Sequence, residues 1–61
     1  MTIPKDPHIL LSYINTKLRD EFISLEELCS SLDVEQHEVE NVLNTINYIY
    51  DRKQNRFTMV W

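Results

Sequence analysis

Sixty-one residues carry ten acidic against six basic side chains, a net charge of −4, with one cysteine and no glycine. A chain this short hides only about 60% of the surface its unfolded form exposes, which leaves little room for a deep catalytic pocket beside the core. The acidic balance works against non-specific binding to nucleic acid or anionic lipid, and the lone Cys29 excludes an intramolecular disulfide.

One domain over residues 1–61 is the expectation. No window approaches the ~20 apolar residues of a membrane span. The first residues lack a basic segment followed by an apolar run, so a cytoplasmic location is expected. Met1-Thr2-Ile3 reads as loose, with Ile3 against the body. Pro4-Lys5-Asp6-Pro7 then starts a helix: Asp6 caps it, and Pro7 takes the first position, where its missing N–H is harmless. The spacing predicts a first helix over about 7–20, with Leu10, Leu11, Ile14 and Leu18 facing inward, flanked by Ile9 and Tyr13. Glu21-Phe22-Ile23 is short and apolar. It reads equally as a connector or as a brief third strand pairing with a later hairpin.

Ser24-Leu25-Glu26-Glu27 is a capping box, and Ile23 and Leu28 are spaced for a hydrophobic staple. Leu25, Leu28, Cys29 and Leu32 make the inward stripe of a second helix. Val39, Val42, Leu43 and Ile46 mark a third, over 35–46, with Glu38 placed to cap it and Val34 pinning the turn before it. This order of apolar and small residues resembles the helix-turn-helix motif, with Asp33 where Gly is usual. Asp tolerates the left-handed backbone such a turn needs. The pattern specifies a fold better than a function, since many such helix pairs never touch DNA.

With no glycine, positive φ falls to Asp33, Asn47 and Asn55. Asn47 stops the third helix. Tyr48-Ile49-Tyr50 and Phe57-Thr58-Met59-Val60-Trp61 read as a hairpin around the polar wing 51–56. Alternation places Tyr48, Tyr50, Phe57, Met59 and Trp61 over the helices, with Ile49, Thr58 and Val60 on the other face. The expected fold class is therefore mostly α with a small β part (α+β): a three-helix helix-turn-helix core followed by a C-terminal β-hairpin, winged-helix-like.

Pro4-Lys5-Asp6-Pro7, Asn15, Lys17-Leu18-Arg19-Asp20, Ser24-Leu25, Tyr48, Tyr50-Asp51, Gln54-Asn55 and Phe57 together resemble a small bacterial family known as domain of unknown function 4250. The resemblance covers nearly the whole chain. It departs at Asn47, where Gly is expected, and in a more basic wing tip. It implies no known chemistry and supplies no catalytic or binding residues.

The residues themselves point away from catalysis. His8 and His37 have no second ligand at metal-site spacing. Glu26, Glu27, Glu35 and Glu38 read as solvated or capping carboxylates rather than an acid–base pair. A phosphate-binding loop needs glycines that the chain lacks. Cys29 on an apolar stripe reads as a small buried residue rather than a reactive thiol. No enzyme activity, metal, cofactor or small-molecule substrate is expected.

Two binding readings remain. In a helix-turn-helix the third helix would enter the major groove. Gln36 and Asn41 could read adenine, and the wing offers Arg52, Lys53 and Arg56 for phosphates, yet three carboxylates share that helix. Three phosphate contacts would give a salt slope of only about −3. The preferred reading is a protein-interaction module whose surface is Ile49, Val60 and Trp61, since open strand edges and large aromatics recruit other chains. A homodimer through the hairpin edge is its sharpest form.

Overall fold

The structure, a computed structural model, describes residues 3–60. Three helices, α1 (Pro7–Asp20), α2 (Leu25–Leu32) and α3 (Gln36–Asn44), precede an antiparallel hairpin of β1 (Tyr48–Asp51) and β2 (Arg56–Met59). This is the expected α+β order.

The helix starts are set by side-chain oxygens. Asp6 Oδ1 accepts from the N–H groups of His8 and Ile9 at 2.9 and 3.2 Å, with Pro7 as the first helical residue. Ser24 Oγ accepts from Glu27 N–H at 3.1 Å, the one half of the capping box formed among the described residues. The staple does not form. Glu21 and Phe22 both donate their N–H to Lys17 O, at 2.8 and 3.1 Å, in a tight bend. That bend sends Phe22 toward the core and leaves Ile23 83% exposed. Residues 21–23 are thus a connector, and the sheet among the described residues has two strands.

Asp33 ends α2 at φ 57°. Val34 N–H reaches back to Cys29 O at 3.0 Å and Asp33 N–H to Ser30 O at 3.3 Å, the paired bonds of a Schellman ending. An Asp therefore serves where glycine is usual. The third helix is shorter than its apolar spacing suggested. It begins at Gln36 without a side-chain cap from Glu35, and after Asn44 the backbone tightens. The N–H groups of Thr45, Ile46 and Asn47 bond the carbonyls three residues back, at 3.2, 3.2 and 3.0 Å, so Ile46 keeps its inward place in a turn rather than a helix. Asn47, at φ 66°, then turns the chain into β1.

The core unites Leu10, Ile14 and Leu18 of α1 with Leu25, Leu28 and Cys29 of α2, Val39 and Leu43 of α3, and Phe57 of β2. Phe57 is the hairpin's fully buried anchor, its ring 5.6 Å from that of Tyr50. The strands pair Tyr48 with Met59, Ile49 with Thr58, Tyr50 with Phe57 and Asp51 with Arg56. The aromatic face covers the helices as alternation required, except that Met59 is 48% exposed where the hairpin outruns the core. Trp61, expected on that face, lies outside the described residues.

Candidate interaction surface on the hairpin

The hairpin is held to the helices by two asparagines. Asn15, on the inward side of α1, treats Phe57 as a strand neighbour would. Its Oδ1 accepts from Phe57 N–H at 2.8 Å, and its Nδ2 donates to Phe57 O at 3.2 Å. Asn55, at φ 53°, donates through Nδ2 to Leu18 O and Phe22 O at 3.1 and 2.9 Å. Its Oδ1 accepts from the Tyr50 hydroxyl, which itself accepts from Leu25 N–H at 3.3 Å. The connector thus reaches the hairpin through an amide side chain rather than through a third strand. Sequence reasoning missed both roles, though one signal was present. Asn15 falls on the inward stripe, four residues after Leu11 and three before Leu18, and a polar group there must find partners.

Those bonds make the two edges of the hairpin unequal. In an antiparallel pair, residues alternate between pointing N–H and C=O at the partner strand and pointing them away. Phe57, bonded to Asn15, points away from β1, and so by register does its opposite Tyr50, as do Tyr48 and Met59. Asn15 closes β2's edge at Phe57. The outward groups of Tyr48 and Tyr50, on the edge of β1, meet no partner among the described residues. Beside them on the face away from the helices lie Ile49, 49% exposed, and Val60, 42% exposed, with Thr58 between. Two of the three residues expected to form an interaction surface therefore share one exposed face next to an open edge. The third, Trp61, is outside the described residues.

The nucleic-acid candidates fall on two elements, α3 and the hairpin with its loop. Gln36 is half-buried and donates to Glu40 within α3 at 3.2 Å. Asn41 is exposed. Arg52 reaches the first turn of α2, 3.2 Å from Glu26. The Glu26 backbone N–H, and then Arg52, hold that carboxyl below the usual carboxylate range. Gln36 follows the far end of α2, roughly 12 Å along an eight-residue helix, so α2 stands between the two ends. Lys53 and Arg56 are exposed. Arg56 and Gln54 border a groove of 590 Å³ against Ser12, Thr16 and Arg19 of α1. Arg19 there is gripped by Asp20 through bonds of 2.9 and 3.0 Å, which keep the Asp20 carboxyl low. His37 stands 3.8 Å from Glu35, both largely exposed. Cys29 is buried, and desolvation pushes its thiol up. Among the described residues, no helix is long and apolar enough to cross a membrane.

Residues 4–57 match the model of a family described as a domain of unknown function (DUF4250). The chain belongs to this family. No curated protein and no solved structure matches it. The family match takes in Asn15, Asn55 and the whole of β1, while Val60 lies beyond it.

Proposed function

We propose that this DUF4250 domain is a non-enzymatic protein-interaction module of winged-helix-like build. It receives an extended segment of a partner along β1, by strand addition. The observation carrying this reading is the open β1 edge: outward backbone groups of Tyr48 and Tyr50 beside exposed Ile49 and Val60. Main-chain bonds to such an edge supply affinity, and alternate side-chain contacts supply specificity. Natural edges are defended by Lys, Pro, a bulge or sheer shortness; Tyr48-Ile49-Tyr50 carries none of the first three, and shortness is the one device that β1, four residues long, has. The test selects binders from a displayed library of extended peptides and follows amide exchange. Bound peptides are expected to protect the Tyr48 and Tyr50 N–H groups and to lose affinity when Tyr48 is N-methylated. Binders that leave both amides unprotected would refute the reading.

DNA binding through α3 and the wing is the weaker alternative. Gln36 and Arg52 are engaged within the fold, which leaves Asn41, Lys53 and Arg56 against the carboxylates of Glu35, Glu38 and Glu40. Titration with mixed duplexes at low salt is expected to move none of the Asn41, Lys53 or Arg56 resonances.

A further inference from the structure

We infer that the segment docking on β1 is β1 of a second copy of this chain, paired antiparallel about a two-fold axis at Ile49. The inference rests on the reading of β1 as a docking edge and names its occupant. A two-fold pairing of one strand with itself must satisfy both hydrogen-bond parity and charge, and this strand satisfies both in one register.

Centred on Ile49, Tyr48 of one copy lies opposite Tyr50 of the other. Both are outward-pointing residues, so each such pair exchanges both of its backbone bonds, and every outward group of β1 is used. Centring the axis on Tyr48 or Tyr50 forfeits half of those bonds. The next residue outward in the pairing would be Ile46, already bonded to Leu43 O, or Arg52, in the turn. The same register sets Asp51 opposite Asn47 of the second copy, so no like charges meet. Ile49 meets its own counterpart at a non-hydrogen-bonded position, where Cα atoms approach to about 4.5 Å. The exposed Ile49 and Val60 side chains of both copies then share one face of a sheet ordered β2-β1-β1-β2. The hairpin is asymmetric in the same sense: Asn15 closes the edge of β2 at Phe57, which leaves Met59 alone outward there, whereas both outward residues of β1 are without a bond among the described residues.

The contact is small. An edge of three residues with a few apolar side chains falls at the weak end of specific interfaces, so dimerisation is sought at protein concentrations up to the order of 10⁻³ M.

Sedimentation velocity and amide-resonance dilution up to that concentration provide the first test, with Ile49→Lys as the comparison. Ile49 is half exposed, so the variant keeps its fold, verified by far-UV circular dichroism. Opposed lysines, like charges directly facing each other, weaken the dimer by up to about fivefold. The second test fixes the register. Under oxidised glutathione, Ile49→Cys forms an intermolecular disulfide, because ~4.5 Å lies within the 4.4–6.8 Å range such bonds need. Thr58→Cys does not, because three strand spacings set its two copies roughly 14 Å apart. Monomeric behaviour with no Ile49→Cys dimer, but with selected peptides still protecting Tyr48 and Tyr50, overturns self-pairing and leaves strand addition standing. Loss of peptide protection as well overturns both. Equal cross-linking of the two cysteine variants also overturns the proposed register.

Discussion

The substitution Asn15→Asp tests whether one amide joins the hairpin to the helices. The two side chains are nearly isosteric, so packing is preserved and only the hydrogen-bond character changes. As a carboxylate, the new side chain still accepts from Phe57 N–H but places a second oxygen against Phe57 O, where Nδ2 of Asn15 donates at 3.2 Å. The lost bond is worth about 1 kcal/mol, and a part-buried carbonyl left unpaired costs about 1–3 kcal/mol. A deficit of about 2–4 kcal/mol at neutral pH follows from those two effects. Against a total of only about 3–5 kcal/mol for a domain of this size, that is most of the stability. Protonated, the acid donates to Phe57 O and the bond returns. The neutral form is therefore favoured in the fold, and the pKa of the introduced carboxyl is raised above its unfolded value near 3.9. Between those two values the folded state binds more protons. The gap to wild type therefore narrows as pH falls through the folded pKa, and the recovery is complete below the unfolded one. Urea denaturation of both proteins at pH 7 and pH 4 measures the gap, with a slope of about 1 kcal/mol/M. A gap under about 0.5 kcal/mol at pH 7, the range of an ordinary surface substitution, or one unchanged at pH 4, would refute the argument.

Asn47 and Asn55 share a left-handed backbone but not a role, so glycine separates them. Asn47→Gly is expected to change stability by less than about 1 kcal/mol, since only the φ of 66° matters there. Asn55→Gly, which deletes bonds to Leu18 O, Phe22 O and the Tyr50 hydroxyl, should cost about 2–3 kcal/mol by denaturation. Cys29 should react with a thiol reagent at pH 8 at least about 100-fold more slowly in the folded chain than in urea, because burial raises its pKa and blocks access. A rapid native reaction would contradict its placement in the core. Arg52→Ala should raise the Glu26 pKa toward the ordinary carboxylate value without restoring it fully, since the Glu26 backbone N–H is the larger influence. A depressed folded pKa stabilises above the unfolded value and loses that effect as pH falls through the folded one. The wild-type advantage over Arg52→Ala should accordingly fade on acidification, which carboxyl-carbon NMR titration and paired melts would follow.

The parts of the fold readable from sequence were those set by local chemistry. Asp6, Ser24 and Pro7 fixed helix starts because caps act within three residues. In a chain without glycine, only Asn and Asp tolerate αL well, and among the described residues Asp33, Asn47 and Asn55 are where it occurs. Alternation in the strands placed Tyr50 and Phe57 inward and Ile49 outward for the same local reason. The features not legible depend on distant partners. Ile23 looked like a staple residue until the bend at Lys17 O turned it outward. The end of α3 contracted because an apolar residue at helical spacing is satisfied equally by a tight turn. Asn15 and Asn55 each bond residues more than thirty positions away, a pairing that no local pattern encodes. Met59 sits on the predicted inner face yet is half exposed, because alternation fixes a direction and cannot say where the helices run out.

These long-range bonds also bear on which binding reading the residues favour. Wing and recognition helix act on DNA together only when both present donors to one duplex. Here the hairpin loop 51–56 leans toward α1, the connector and the first turn of α2, through Asn55 to Leu18 O and Phe22 O and Arg52 to Glu26. The start of α3 lies beyond the other end of α2 and carries carboxylates. Of the cations in that loop, Arg52 thus has an exposed carboxylate, Glu26, as its neighbour. The same anchoring holds β1 at the perimeter of the hairpin, with β2 between it and Asn15. An edge already paired on its other side would meet the proposed partner strand with less ordering left to do, and a small contact can least offset that cost.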